Sequence, residues 1–144
     1  MGLKALCKKT PETSADLTVQ AAVHIITEAK AGVIAIMEGR KIIGIFTERD
    51  LLRRVVAQGK DPRTLPLREA MTSPVMSVLD STPVAKAAAL MRRHHIRHLA
   101  VLDDKGNLEG IVALRYLLYA LMDELGNKVG NLYGYLMVDG AGED

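Results

Sequence analysis

The pattern of apolar positions repeats along the chain. In the first copy, apolar residues follow the i, i+3, i+4, i+7 spacing of one buried helix face, at Val19, Ala22, Val23 and Ile26. The same spacing returns 65 positions later, at Val84, Ala87, Ala88 and Met91. Each helix leads into a short apolar run that predicts a buried strand, Val33–Met37 in one copy and Leu99–Leu102 in the other. The sequence therefore predicts two copies of one unit.

A polar turn and a second apolar run complete a hairpin in each copy. The return strands are predicted at Ile42–Phe46 and Leu108–Val112, after the turns Glu38–Lys41 and Asp103–Asn107. The second turn is one residue longer, so the offset between the copies becomes 66. A second helix follows each hairpin, and we expect its apolar side to be Leu51, Leu52, Val55 and Val56 in the first copy and Leu117, Leu118, Leu121 and Met122 in the second.

Capping residues and breaks set the expected boundaries. Thr82 is placed to cap the first helix of the second copy, with Pro83 at the first helical position; Asp16 or Thr18 can serve in the first copy. A lead-in strand is expected around Val75–Val78. We predict repeat 1 at residues 1–61, a linker at 62–70, repeat 2 at 71–125, and a C-terminal helix with a mobile tail at 126–144.

Composition narrows the class of protein. Hydrophobic residues make up 49% of the 144 and charged residues 25%, which argues against a disordered chain. Nineteen Lys and Arg against 17 Asp and Glu leave a formal charge of +2, too balanced for nucleic-acid binding through bulk electrostatics. The single Cys7 excludes an internal disulfide. No signal segment is visible and no apolar run approaches the roughly 20 residues that span a bilayer. A cytoplasmic protein is expected.

Three stretches resemble motifs of the CBS-domain pair, also called a Bateman module. Gly44–Asp50 reads GIFTERD at one strand-to-helix junction, and His95–Asp103 reads HIRHLAVLD in the other copy. Glu69–Val75 reads EAMTSPV, which looks like the usual lead-in to the second repeat of that family. The resemblance covers about Leu3 to Leu125, and the doubled pattern is much more specific than any one motif.

The resemblance implies an α+β fold of tandem repeats, each helix, strand, strand and helix with a lead-in strand, packed as a pseudo-two-fold pair. It also implies two clefts that can hold AMP, ADP or ATP, or in some members NAD(H) or S-adenosylmethionine. Such modules sense a ligand and do not catalyse, and they commonly form a disc-shaped homodimer. We expect a stand-alone regulatory module with an adenine nucleotide as its ligand, no catalytic cofactor, and an unidentified regulated protein as a further partner.

Only one copy carries the ribose- and phosphate-binding pattern of the family, which is Gly, hydrophobic, any, Thr or Ser, any two, then Asp. The first copy matches it at Gly44, Thr47 and Asp50. An ionised Asp50 only accepts hydrogen bonds and suits the ribose hydroxyls, while Thr47 can donate to a phosphate at a helix N-terminus. The corresponding positions of the second copy are Gly110, Ala113 and Tyr116. We therefore expect one preferred site.

A purely structural interpretation competes with this one. Thr-x-x-Asp at a helix start resembles a capping box, although Glu or Gln is usual at the fourth position. The second copy builds the same junction with Ala113 and Tyr116, so the fold does not require Thr47 and Asp50. The comparison of copies favours ligand contact, and one residue can serve both purposes.

The resemblance also assigns the remaining site residues. Arg97 would reach the phosphates, and Arg115 and Arg49 are further candidates, with an exposed helix-start arginine as the equally weighted alternative for these two. The adenine would lie against Thr72, Val75, Met76 and Ile96.

Other functions find less support. His94 and His98 are four residues apart, but no carboxylate or cysteine partner is visible nearby, so a metal site is not expected. The basic run Arg92–His98 lacks the interleaved aromatics of a single-strand binder. No nucleophile and base grouping or Gly-rich phosphate loop emerges, so an enzyme is not expected. The principal alternative is a ligand-free protein-interaction scaffold.

Overall fold

The computed structural model describes residues 2–129 and divides them into two similar halves, each built on a three-stranded sheet. The strands of the first sheet are β1 (Glu12–Thr13), β2 (Val33–Glu38) and β3 (Lys41–Thr47). Those of the second are β4 (Ser77–Leu79), β5 (His98–Leu102) and β6 (Leu108–Ala113). Of the C-terminal helix and tail predicted at 126–144, residues 126–129 continue the last helix of the second repeat, and the rest lies outside the described residues.

Helices flank the strands in the predicted order. They are α1 (Leu3–Leu6), α2 (Val19–Ala29), α3 (Glu48–Asp50), α4 (Leu67–Ala70), α5 (Val84–Arg93) and α6 (Leu114–Val129). The short α3 continues as a wider π-helical segment, Leu51–Val56. The α+β class and the doubled lead-in strand, helix, strand, strand and helix are confirmed.

The two sheets share one topology and one irregularity. In each, the lead-in strand lies parallel to the central strand, which pairs antiparallel with the last strand. The register shifts between Ile36 and Met37 in the first hairpin and between Val101 and Leu102 in the second, at equivalent positions of the repeat. The two copies therefore repeat even the β-bulge that twists the hairpin.

Three apolar clusters form the core. The first half is packed around Ile34, Ile36 and Phe46, and the second around Met91, Leu99 and Val101, all at most 1% exposed. A third cluster joins the two sheets, at Val33 and Ala35 on the opposite face of β2 and at Ile111 on β6. Because side chains alternate across a strand, β2 packs against its own helices on one face and against the other repeat on the other.

The segments ahead of each repeat pack on the opposite half. Leu3 of α1 is fully buried in the second core, and Lys8 pairs with Ile111 of β6. Leu67 of α4 is fully buried in the first core, and Thr72 pairs with Ile45 of β3. The stretch predicted as a linker thus contains a helix that belongs to the packing of the first half.

The predicted helix cap is present in the first copy and absent in the second. Thr18 caps α2, and its side chain accepts a hydrogen bond from the backbone N–H of Ala21 at 3.2 Å. The prediction that Thr82 caps α5 is wrong, because Pro83 occupies the cap position and no side chain there accepts a hydrogen bond. The fixed φ of proline already starts the chain in a helix-compatible direction, so the cap is not needed there.

The apolar side predicted for the helix after β3 is only partly correct. Val55 is fully buried, but Leu52 and Val56 are each 62% exposed. The equivalent helix α6 buries Leu117 and leaves Leu118 45% exposed. Because α6 is an ordinary α-helix, the π turn is not the cause of this exposure: in both repeats the helix carries more apolar residues than its half buries.

Candidate functional site

A cleft of about 710 Å³ lies between the halves where β3 and β6 end and the following helices begin. Seven of the nine predicted site residues line it: Thr47, Arg49, Asp50, Thr72, Ile96, Arg97 and Arg115. Four further charged or titratable residues also line it: Lys30, Glu48, His95 and His98. Residues separated by 60 or so positions in sequence are thus brought to one site by the pairing of the repeats.

The carboxylate of Asp50 lies at this cleft with only 7% of the residue exposed. Its Oδ2 accepts hydrogen bonds from the backbone N–H of Thr47 at 3.0 Å and from the Thr47 hydroxyl at 3.2 Å. The backbone N–H of Asp50 donates in turn to Thr47 Oγ1 at 3.3 Å. This is a reciprocal capping box, so the structural interpretation of the pair is correct as far as it goes.

The other carboxylate oxygen contacts the lead-in segment of the second repeat. The Thr72 hydroxyl donates to Asp50 Oδ1 at 2.9 Å. Arg54 Nε lies 3.5 Å from the same oxygen, and Arg54 also donates to the carbonyl of Met71 at 3.0 Å. A charge held away from water needs such partners, and here they come from both repeats. A cap alone would not need the contacts to Thr72.

Gly44 permits the lead-in segment to approach β3 closely. Ile45 and Thr72 exchange two backbone hydrogen bonds, at 3.1 and 2.8 Å. A Cβ on Gly44 would lie 3.2 Å from the Thr72 carbonyl oxygen and 2.5 Å from the sulfur of Met71. The glycine of the motif therefore places the Thr72 hydroxyl within reach of Asp50.

The opposite side of the cleft is cationic. Leu114 at the start of α6 donates its backbone N–H to the Arg97 carbonyl at 2.9 Å, which fixes Arg97 beside Arg115. The charged residues that line the cleft are Lys30, Arg49, Arg97 and Arg115, against Glu48 and Asp50. The excess of basic groups makes the cleft attractive to an anion, although the whole chain is almost neutral.

Two comparisons establish the family. The CBS domain pattern matches residues 7–57 and again residues 67–123. The chain belongs to the CBS-domain family. The CBS domain-containing protein YhcV of Bacillus subtilis is 36% identical over 101 residues, which cover 70% of this chain and 71% of YhcV.

Other relatives differ in length. An uncharacterized protein of Methanopyrus kandleri, MK0525, is 37% identical over 107 residues, 74% of this chain and 53% of that protein. The match spans 61% of the mitochondrial CBSX3 of Arabidopsis thaliana. Among solved structures, the CBS domain protein PAE2072 from Pyrobaculum aerophilum complexed with AMP superimposes with a TM-score of 0.76 at 30% identity, over 88% of this chain and 99% of that one.

The predicted adenine-contacting residues of this CBS pair separate into two groups. Thr72 and Ile96 line the cleft together. Val75 and Met76 do not line it, and Met76 packs against the second core beside Leu99. The lead-in segment passes the cleft at Thr72 and then turns inward to begin β4, so it presents Thr72 more directly than the residues that follow.

The second cleft of the CBS pair has a different pair of residues at the positions of Asp50 and Thr72. Tyr116 stands where Asp50 stands in the first copy, and Lys8 stands where Thr72 stands. Lys8 Nζ lies 2.8 Å from the Tyr116 hydroxyl and 4.3 Å from the ring centroid. The guanidinium carbon of Arg115 lies 5.0 Å from the same centroid. A phenol between two cations replaces the buried carboxylate, in agreement with the expected asymmetry of the motif.

Several residues that line the cleft were not predicted from the sequence. Lys30 and His95 end equivalent helices in left-handed conformation, with φ of 53° and 55°. Equivalent positions in the repeat alignment could have identified this pair. Glu48 lies two residues before Asp50 and had no predicted role, and His98 was considered only as a metal ligand with His94 and as part of the basic run Arg92–His98. Among residues 2–129, no three His, Cys, Asp or Glu side chains cluster as a metal site requires.

Neither α6 nor any other helix in residues 2–129 is long and apolar enough to cross a membrane.

Proposed function

We propose that this chain is a non-catalytic regulatory module that binds an adenine nucleotide, AMP, ADP or ATP, in the cleft between its CBS repeats. The observation that carries the proposal is the buried Asp50 carboxylate in a cleft that also holds Arg97 and Arg115. A ribose supplies hydroxyl donors for a carboxylate, and a phosphate supplies acceptors for guanidinium groups. The similarity to PAE2072, whose structure is complexed with AMP, supports the same ligand class.

Ribose binding requires that Asp50 has acceptor capacity to offer. A carboxylate has about four lone-pair sites, and the contacts from Thr47, Thr72 and Arg54 already use them. Two of those contacts come from hydroxyl groups, which can rotate. When the ribose hydroxyls donate to Asp50, the hydroxyls of Thr47 and Thr72 turn to acceptors on the ligand. Binding then exchanges hydrogen bonds and leaves no buried charge unpaired.

The phosphates are bound by the basic side of the cleft in this proposal. Arg97 and Arg115 come from the second repeat, and Arg49 comes from the helix start that also carries Asp50. Arginine donates in pairs to phosphate oxygens, which favours a nucleotide over adenosine itself. A cationic ligand such as S-adenosylmethionine would meet uncompensated like charge, so we expect it to bind more weakly.

Calorimetric titration and thermal shift with AMP, ADP, ATP, NADH, S-adenosylmethionine and adenosine test the proposal. We expect at least one of AMP, ADP and ATP to bind and to raise the melting temperature of the protein, because a ligand that binds only the folded state stabilises it by mass action. Asp50→Asn should weaken this binding, and Asp104→Asn is its matched control, since Asp104 is an exposed carboxylate on the turn between β5 and β6. Absence of binding by all six compounds would reject the nucleotide-sensor function.

A second copy of the chain is the proposed protein partner. The helices that follow β3 and β6 expose large apolar residues in equivalent parts of the repeat, at Leu52, Val56, Leu118, Tyr119, Met122 and Leu125. Contiguous exposed apolar surface is typical of interfaces. The two repeats are related by a pseudo-two-fold axis, so both of these helices are available for contact with a second chain. The apolar faces of two chains can then pair in a disc-shaped homodimer. Ligand binding would then shift the dimer or its docking to a regulated protein.

The alternative function is a ligand-free interaction scaffold. The observation in its favour is that both carboxylate oxygens of Asp50 already have internal partners, through three hydrogen bonds and one ion pair. A scaffold predicts an unchanged melting temperature with every adenine compound, whereas the dimer persists. The titration described above therefore distinguishes the two functions directly.

A further inference from the structure

His98 lines the cleft at a position where the fold does not need a histidine. It is the first residue of β5 and pairs with Ala113, the last residue of β6. The equivalent residue of the first repeat is Val33, which pairs with Thr47 in the same way and is 4% exposed. The first repeat builds the same strand start with an aliphatic side chain. The imidazole is therefore a departure from the repeat pattern that faces the site.

Charged groups from three elements surround this imidazole. Arg97 precedes it on the approach to β5, and Arg115 acts on it from the start of α6. Glu48 and Arg49 act on it from α3 of the other repeat. His95 and Lys30 also line the cleft. Three guanidinium groups against one carboxylate leave His98 in a cationic environment before any ligand binds.

We propose that His98 is a phosphate-facing group of this cleft and that nucleotide binding is coupled to proton uptake by its imidazole. The inference rests on the proposed nucleotide function and adds to it a residue and a pH dependence. A phosphate that reaches Arg97 and Arg115 lies beside the imidazole as well. A protonated imidazole then donates a charge-assisted hydrogen bond that neutral glutamine or valine cannot supply.

The electrostatics of the ligand-free cleft support this direction. Burial of the ring, followed by the charges of Arg115 and Arg97, lowers the pKa of His98 below its usual value of 6.5. An anionic phosphate offsets the positive charge of the arginines and so stabilises the protonated form of the imidazole. The pKa of His98 then rises on binding, so the complex holds more protons than the free protein. Affinity accordingly increases as the pH falls through and below about 6.5 and loses this contribution at higher pH.

The experiment measures AMP and ATP affinity by calorimetry between pH 5.5 and 8 for the wild type, His98→Val and His98→Gln. Valine is the residue that the first repeat uses at this position, so it suits the strand start; glutamine keeps a polar side chain. A one-unit rise in pKa corresponds to a tenfold change in affinity. We expect the wild type to gain about threefold to tenfold more affinity than either variant between pH 7.5 and 6.0.

Proton uptake is measured independently by repeating the titration at pH 6.5 in buffers of different ionisation enthalpy. The expected excess for the wild type over His98→Val is roughly half a proton per nucleotide for a one-unit pKa rise. The nucleotide phosphate itself titrates near pH 6, so the difference between proteins, rather than either profile alone, reports His98. His95→Asn and His94→Gln are the controls: His95 lines the cleft in left-handed backbone that asparagine tolerates, and His94 does not line it.

The outcomes separate the inference from the function on which it rests. Loss of the excess pH dependence and proton uptake in both His98 variants, with both retained in the controls, supports the inference. Identical profiles for the wild type and the His98 variants overturn it while leaving the nucleotide function intact. If His95→Asn, and not the His98 variants, loses the excess pH dependence and proton uptake, the inference is also overturned. Failure of every protein to bind overturns the proposed function itself.

Discussion

Thr72 donates its hydroxyl to Asp50 across 2.9 Å, from the lead-in segment of the second repeat to the helix start of the first. The equivalent contact at the other cleft joins Lys8 Nζ to the Tyr116 hydroxyl across 2.8 Å. Each lead-in segment thus contacts the helix start of the opposite half in the same place. The chemistry differs: one contact joins a hydroxyl to a carboxylate, and the other places a cation against a phenol.

Replacing the carboxylate of Asp50 is expected to weaken nucleotide binding. Loss of a charge-assisted hydrogen bond costs about 1.5–3 kcal/mol, so Asp50→Asn should reduce affinity tenfold to more than a hundredfold. Part of the capping box is lost as well, which costs about 0.5–2 kcal/mol of stability. Titration of AMP and ATP at a temperature where both proteins are folded measures the first effect, and denaturant unfolding measures the second. Unchanged affinity would refute the ribose assignment, and Asp104→Asn should match the wild type.

The residues at the second cleft predict a binding stoichiometry of one nucleotide per chain. The aromatic ring of Tyr116 occupies the ribose-binding position, and Lys8 supplies no acceptor there. Three substitutions introduce into the second cleft the residues found at the equivalent positions of the first: Lys8→Thr, Ala113→Thr and Tyr116→Asp. Their counterparts in the first cleft are Thr72, Thr47 and Asp50. We expect this triple variant to bind a second nucleotide, detected as a calorimetric stoichiometry near two. A wild-type stoichiometry of two would contradict the asymmetry.

The carboxyl of Glu109 on β6 predicts an unusual pH dependence of stability. Burial and the neighbouring Asp80 raise the pKa of Glu109 in the folded protein. A raised folded pKa contributes stability below the unfolded value of about 4.3, and this contribution is lost as the pH rises through the folded pKa. Glu109→Gln should therefore be more stable than the wild type at pH 7 and equal to it near pH 3, by denaturant unfolding.

The ion pair of Glu109 and a control variant bear on how the Glu109→Gln result is interpreted. The ion pair with Lys4, at 3.8 Å, involves a lysine side chain that is 77% exposed, so its loss should matter little. Glu38→Gln changes an exposed carboxyl at the end of β2 and serves as the control. A stability gain at pH 7 that persists unchanged at pH 3 would show that the ionised carboxylate of Glu109 is not its cause.

The exposed apolar residues of α6 predict that a charge there disrupts self-association. Leu118 is 45% exposed on α6, and Leu79 is 48% exposed on β4. Leu118→Glu should convert a dimer to a monomer, halving the mass seen by light scattering, because a buried interface tolerates an unpaired charge poorly. Leu79→Glu is the matched control and should leave the mass unchanged. A wild-type chain that is monomeric at high micromolar concentration would overturn the homodimer proposal.

Local periodicity was sufficient to predict the repeat. The helix faces that begin at Val19 and Val84 and the two hairpins occur where the spacing places them, because these patterns are set by residues close in sequence. The failures involve longer-range packing. Pro83 and not Thr82 occupies the cap position of α5, and Leu52 was expected to be buried but is 62% exposed.

The candidate site was predicted in outline from the family motif. Thr47, Asp50 and Arg97 do line one cleft. The family resemblance placed Thr72 and Asp50 at one ligand, but the direct contacts between crossing segments, Thr72 with Asp50 and Lys8 with Tyr116, were not predicted. Those contacts arise because each lead-in segment packs on the half that precedes or follows its own.

A crystal structure of the chain with AMP tests most directly the claim that the first cleft binds a nucleotide through Asp50. This claim predicts AMP in the first cleft, with both ribose hydroxyls within hydrogen-bond distance of the Asp50 carboxylate and the phosphate beside Arg97 and Arg115. It also predicts the Thr72 hydroxyl turned from Asp50 towards the ligand, and no nucleotide beside Tyr116. AMP bound beside Tyr116, or bound in the first cleft without contacting Asp50, would contradict it.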